Sequence, residues 1–246
     1  MNTLLQQPNV VPISLGWNCH VALFIQDLGD LERKFHERQI FDWFGAPMWS
    51  ICELVDRNFA GLTDRSRLVQ RKRYTEKDTT MLSHLDYDLR FLPEFSSKEK
   101  DTEKEKGKET EEDWAKFQEK YERRIERFQN TLLFSAETKT KLLFFRLEQD
   151  IHKRIIYPEF LLPKEHDEKF FVERFADQMK ERGVVFQIVF FTCSFPKGHD
   201  TERNIVYVPF GKKNADVSIG TDEMLQILKA NLPYVRSCLT NIRTQS

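Results

Sequence analysis

Three runs of the chain, Lys141–Leu147 (KLLFFRL), 184–191 (VVFQIVFF) and 204–210 (NIVYVPF), are apolar at nearly every position rather than at alternate ones. A strand with one wet face alternates, so continuous runs of this length demand cover on both faces, the condition of a parallel sheet packed between helices. Helical patterns stand where such a sheet needs them: HDEKFFVERFADQMKERG at 166–183, and TDEMLQILKANL at 221–232 with Thr221 or Asp222 as its cap. Upstream, NVVPISL at 9–15 is a β-branched, apolar run that stops at Gly16. The segment NCHVALFIQDL at 18–28 then has a helical pattern, with Asn18 as N-cap and Gly29 just past its end. The expectation is an α/β fold, one domain over residues 1–246, with a mostly parallel central sheet and helices on both faces.

The middle of the chain is less regular. RQIFDWF suggests a short strand, followed by a helix with Pro47 near its first position and Met48, Ile51, Leu54, Val55 and Phe59 on one face. A basic cluster (Arg65, Arg67, Arg71, Lys72, Arg73) precedes TTMLSHLDYDLRFLP, a strand leading into a loop. Between Lys98 and Asp113, thirteen of sixteen residues are charged, five basic and eight acidic, so that window is expected to be a solvated, disordered insertion. Trp114, Phe117, Tyr121, Ile125, Phe128 and Leu132 then recur at steps of three and four, marking a long amphipathic helix.

Composition removes several function classes. The formal net charge of −1 argues against a general nucleic-acid binder. Neither G-x-x-x-x-G-K-[ST] nor G-x-G-x-x-G occurs among nine glycines, so the usual phosphate-cradling loops are absent. Four scattered cysteines, none in C-x-x-C, exclude a zinc ribbon and a disulfide framework. No run approaches the roughly 20 apolar residues of a membrane span, and the N-terminus lacks a signal-peptide pattern. The reading is a cytoplasmic chain with no metal and no cofactor, whose partner is a peptide or protein substrate and not a membrane.

Chemistry concentrates in SLGWNCH at 14–20. A cysteine in the first turn of a helix meets unsatisfied N–H groups and the positive end of the helix dipole, which favours its thiolate. Cys19 is therefore the candidate nucleophile, and the same N–H groups are a candidate oxyanion hole. His20 is a poor base, because adjacent helical residues diverge by about 100°. His84, among apolar neighbours with Asp86 and Asp88 close by, is the preferred base, with Asp86 or Asp42 to orient it. Asp42, between Phe41 and Trp43, could equally cap the helix near Pro47. Trp17, Asn18 and Trp43 are candidate substrate contacts, and Arg146, at the end of its strand, is a candidate anion contact. Cys193 and His199, in one loop, form a weaker rival pair. Besides a thiol hydrolase, the residues leave open a nucleotide- or sugar-nucleotide-binding transferase-like domain and a non-catalytic interaction protein.

Ser14-Leu15-Gly16, Asn18 and Cys19, then Phe41-Asp42-Trp43, His84, the YERRIERF helix (Tyr121, Arg124, Arg127, Phe128) and Phe145-Arg146 resemble a family of domains of unknown function labelled as papain-like cysteine peptidases. The resemblance spans about residues 13–210, with Ile40 where the family usually has proline. It implies a cysteine nucleophile with a histidine base. It also raises an alternative fold, the α+β papain-like arrangement, in which the histidine lies on an antiparallel sheet.

Overall fold

In a computed structural model, residues 10–16, 21–25, 39–42, 44–72, 80–91, 110–148, 167–210, 226–227 and 229–240 are described. Their centre is a five-stranded sheet in the order β1 (Val10–Ser14), β6 (Lys141–Leu147), β7 (Phe186–Thr192), β9 (Ile205–Pro209) and β8 (Gly198–Asp200). The first four strands are parallel and β8 closes the edge antiparallel. The expected α/β class with a mostly parallel sheet is what the chain forms. Pro12 sits in β1, an edge strand, where its missing N–H costs no ladder bond on the open side.

The continuous apolar runs are explained by two cores that share one sheet. Leu142, Phe144, Phe186, Ile188 and Phe190 point to a core built with α2 (Met48–Asp56), α3 (Glu111–Thr138) and α4 (Glu168–Glu181). Leu143, Phe145, Leu147, Val189 and Phe191 point to the other, with helical residues 21–25, here α1, and α5 (Leu232–Thr240). Phe144 meets Phe175 of α4 edge-on at 5.1 Å, whereas Phe145 meets Phe24 of α1 at 5.6 Å. Neighbouring residues on one strand thus serve opposite layers.

A second sheet, missed as a unit in the sequence, is antiparallel and four-stranded: β2 (Phe44–Gly45), β5 (Arg90–Phe91), β4 (Thr80–His84) and β3 (Leu68–Lys72). It packs on α3 through Phe91, whose ring lies 5.1 Å from Tyr121 and 5.2 Å from Phe117. Its β2 corrects the expected RQIFDWF strand. Residues 40–42 are a turn, closed by Gln39 N–H donating to Asp42 Oδ2 at 2.7 Å, and only two residues of strand follow. That side chain satisfies the backbone locally and wins over β-propensity.

Helix α2 has Pro47 as N-cap with no side-chain cap. Asp42 closes the Gln39–Asp42 turn, five residues before that N-cap. Phe59, expected on this helix, lies beyond its end with φ +63°, yet stays buried against Phe128 at 5.7 Å. The last carbonyls of α2 are met from α4: Gln178 Nε2 donates to Cys52 O at 3.0 Å and Arg182 Nη2 to Val55 O at 2.7 Å.

Helix α3 starts from a capping box, Thr110 with Asp113, so the last three residues of the charged window are its first turn. The acidic residues Glu111, Glu112 and Asp113 also complement the helix dipole there. Residues 98–109, most of the predicted insertion, lie outside the described residues, as do residues 149–166 and most of 211–228. No helix among the described residues is long and apolar enough to cross a membrane.

Candidate active site

The carboxyl end of β1 is held by unusual means. Leu15 N–H donates to Phe145 O at 2.9 Å, which extends the β1–β6 ladder by one residue. Gly16 then takes φ +70°, and its N–H donates to the Ser14 hydroxyl at 3.1 Å. Only glycine enters that backbone region without a Cβ penalty, so the turn needs Gly16. The chain is helical again by residue 21.

Behind this turn lies Arg146, fully buried. Its Nη1 donates to Leu15 O at 2.6 Å and to Ala46 O at 2.9 Å. Its Nε donates to Glu168 Oε1 at 2.7 Å, and Nη2 reaches the same oxygen. One guanidinium thus ties together the end of β1, the residue after β2 and the first turn of α4. A buried arginine is tolerable only when charge and donors are matched, and Glu168, itself 3% exposed, supplies the charge. Arg146 was expected to contact a ligand anion; the anion it holds is the chain's own. Glu168 carried no signal in the sequence, since an acid at a helix start is ordinary.

His84 ends β4 and is buried. Its Nε2 lies 3.0 Å from the Gly61 carbonyl, and its Nδ1 accepts the Asp86 backbone N–H at 3.1 Å. The partners fix the tautomer: Nε2 carries the proton and Nδ1 the lone pair. Burial holds the imidazole below its ordinary pKa, only partly offset by the Gly61 carbonyl and by Asp86. The Asp86 carboxylate faces Arg67, not the ring, and that hydrogen bond holds it below the usual carboxylate range. Asp86 does contact His84, through its backbone.

Asp42 is 3% exposed and closes the Gln39–Asp42 turn. Cys19, Asn18, Trp17 and Trp43 lie outside the described residues, as do His20, His36, His152 and His166. The structure describes the frame on either side of residues 17–20.

Of the basic cluster, Arg65 and Arg67 are exposed and have partners. Arg65 donates to Glu111 at 2.6 Å and stacks on Trp114 at 4.9 Å, while Arg67 holds Asp86. The rival pair does not assemble: no hydrogen bond joins Cys193 and His199 among the described residues. Burial and then Glu148 push the Cys193 thiol up, away from reactivity. Part of the expected loop there is strand β8, with His199 opposite Val206.

Glu148 was not foreseen. Its Oε2 accepts from Thr192 Oγ1 at 2.6 Å, Cys193 N–H at 2.6 Å and Ser194 N–H at 3.1 Å, at the same carboxyl edge of the sheet. Among the described residues no group of three or more His, Cys, Asp or Glu side chains is placed to hold a metal.

A family model described as "Putative papain-like cysteine peptidase (DUF1796)" matches residues 10–194, about three quarters of the chain, from the first residue of β1 to just past β7. The chain belongs to this family. No curated protein and no solved structure matches it. The DUF1796 match takes in the antiparallel sheet, strands β1, β6 and β7 of the larger sheet, the Gly16 turn, the Arg146 clamp and His84. Its description supports a cysteine-peptidase function at the level of the family.

Proposed function

We propose that the chain is a thiol-dependent hydrolase of amide or isopeptide bonds, with Cys19 as nucleophile. The observation that supports this most is the turn itself: a parallel strand ends at a glycine in the left-handed region, clamped from behind by Arg146, and a helix follows within five residues. Open α/β folds bind ligands at the carboxyl edge of the sheet, where this turn lies, and a helix N-terminus favours an anion. In the proposed reaction the Cys19 sulfur bonds to the substrate carbonyl carbon and the carbonyl oxygen takes the electron pair. N–H groups of the helix start receive that oxyanion, and the thiol proton passes through an imidazole to the leaving amine.

His84 is the base in this reading, and its place on an antiparallel sheet is the one a papain-like histidine has. In the conformation described, its lone pair faces the Asp86 N–H. Proton transfer therefore requires the 85–87 bend to open and free Nδ1. Asp42 and Asp86 are the carboxylates within the same family block and loop.

The test is alkylation of the intact protein by iodoacetamide across pH, followed site by site. Cys19 is expected to react below the pH at which an ordinary thiol of pKa about 8.5 does, and His84→Asn to move that profile toward the ordinary one. Cys19→Ala should abolish hydrolysis of amide substrates. If Cys19 reacts like a free thiol and Cys19→Ala keeps the activity, the nucleophile is wrong; if only His84→Asn has no effect, His84 serves the sheet alone.

A further inference from the structure

Helix α4 has two unlike faces. Phe171, Phe175 and Met179 enter the core, and on the side away from them Phe170, Glu173, Asp177 and Glu181 recur at steps of three and four. Together with Arg174 and Gln178 of the same helix, Asp56 at the end of α2 and Arg203 just before β9, this stripe lines a cavity of about 410 Å³. Ligand pockets run from about 300 to 1,000 Å³, so the space is large enough to hold one.

The charge of the lining is unbalanced. Four of its groups are carboxylates and two are guanidinium groups, and each guanidinium is divided between two acids. Arg174 meets Glu53 at 3.1 Å and Asp56 at 2.5 Å, and Arg203 meets Asp177 at 3.6 Å and Asp200 at 3.7 Å. Lys169 lies 3.5 Å from Glu173, whereas Glu181 is exposed and has no ion pair among the described residues. Like charges four residues apart repel on a helix, yet Asp177 and Glu181 keep that spacing.

Gln178 is an independent observation at the same place. It is 7% exposed, and its Nε2 donates to Cys52 O at 3.0 Å and to Asp56 Oδ1. Two acceptors on one atom fix that atom as the nitrogen. The amide oxygen is then a buried acceptor with no donor among the described residues, on a side chain that lines the cavity. Excess carboxylate and an unanswered carbonyl call for the same thing, a ligand that carries positive charge and many N–H donors. Glu173 and Glu181 stand eight residues apart, about 12 Å along the helix, too far for one cation to serve both. An extended peptide fits that spread, because its alternate side chains are about 6.6 Å apart and carboxylates four residues apart on a helix about 6 Å. Phe170, 42% exposed, adds a ring on which a cation can stack.

We propose that this cavity docks a basic segment of a partner polypeptide, extended along α4 with arginine or lysine at alternate residues, one of which donates to Gln178 Oε1. The site uses none of the residues assigned to the hydrolase chemistry and goes beyond that reading.

The test is the fluorescence anisotropy of a labelled SRSRSRS peptide titrated with the full-length protein, beside SSRRRSS of equal composition and charge. The alternating peptide should bind several-fold more tightly. Glu181→Lys should weaken it several-fold, whereas Glu126→Lys, the same change of net charge at an exposed position of α3, should leave it unchanged. Gln178→Met removes the acceptor and should also weaken binding; it gives up the bond to Cys52 O as well, and Glu181→Lys carries the test if that variant fails to fold. No binding by the parent, equal affinity for the two peptides, equal losses in Glu181→Lys and Glu126→Lys, or a folded Gln178→Met that binds as the parent does overturns the proposal. Spermine binding more tightly than the peptide would overturn it in favour of a free polyamine.

Discussion

His84 shows how a residue chosen for chemistry is also bound into the fold. Its two ring nitrogens join β4 to the Gly61 turn and to the bend after β4, and it must be neutral to accept from the Asp86 N–H. Because burial lowers its pKa in the folded state, the unfolded chain binds the proton first as pH falls. Its contribution is thus complete above the ordinary histidine value of about 6.5 and is lost on acidification below it. His199, lowered by burial as well, adds a term of the same sign. Asp86, held down by Arg67, loses its smaller, largely solvent-screened contribution only at much lower pH. Urea midpoints measured from pH 8 to pH 5 should fall, and His84→Gln should flatten much of that fall while lowering stability at pH 8. An unchanged slope in the variant would assign the effect to the other histidines, His199 among them. The sequence made His84 visible as an isolated histidine near acids. It could not show that the Asp86 carboxylate turns to Arg67, because that pair depends on β3 lying beside β4.

Among the elements, legibility followed the range of the forces. β6 and β7 are written in their own residues, since a run buried on both faces needs no partner to be recognised. Helix α3 declares itself by periodicity and by a cap at Thr110. The strands β2 and β5 have two residues each and exist because each completes the other, so no local pattern could mark them. The clamp that joins β1, β2 and α4 is of this second kind, with Arg146 and Glu168 supplied from distant segments. Removing Glu168 leaves the Arg146 charge buried without its carboxylate, so Glu168→Ala should cost about 3–5 kcal/mol in urea unfolding. Arg146→Met should cost a similar amount, because it takes the guanidinium from the buried Glu168 carboxylate and frees the Leu15 and Ala46 carbonyls. The double variant should lose little more than either single one, since they break the same unit. Strictly additive losses would mean that the two side chains stabilise the fold separately.

On the scale of the molecule, the arrangement that made the apolar runs continuous also couples the two cores. β1, β6, β7 and β9 follow one another in chain order across the sheet, with no reversal among the parallel strands. The usual ligand crevice of open α/β folds opens where strand order reverses. No such reversal occurs among the described parallel strands, and Arg146, the phosphate contact of the nucleotide-binding alternative, is bonded to Glu168. At the carboxyl edge lie the Gly16 turn and the Glu148 cluster, and a separate antiparallel sheet bears His84. The two layers meet in the shared sheet, where Phe144 and Phe145 are bonded neighbours with side chains in different cores. If residues 1–246 fold as one unit, damage to either core must be felt by both. Phe144→Ala and Phe145→Ala, each emptying a fully buried position, should each cost about 3–5 kcal/mol. Each variant should still unfold in one transition, with far-ultraviolet circular dichroism and tryptophan fluorescence superimposed. The described tryptophans, Trp49 and Trp114, both lie against the Phe144 side. Fluorescence lagging behind circular dichroism in Phe145→Ala would therefore reveal two cores that melt apart, and would leave the α1 side of the Gly16 turn free to open while the clamp holds.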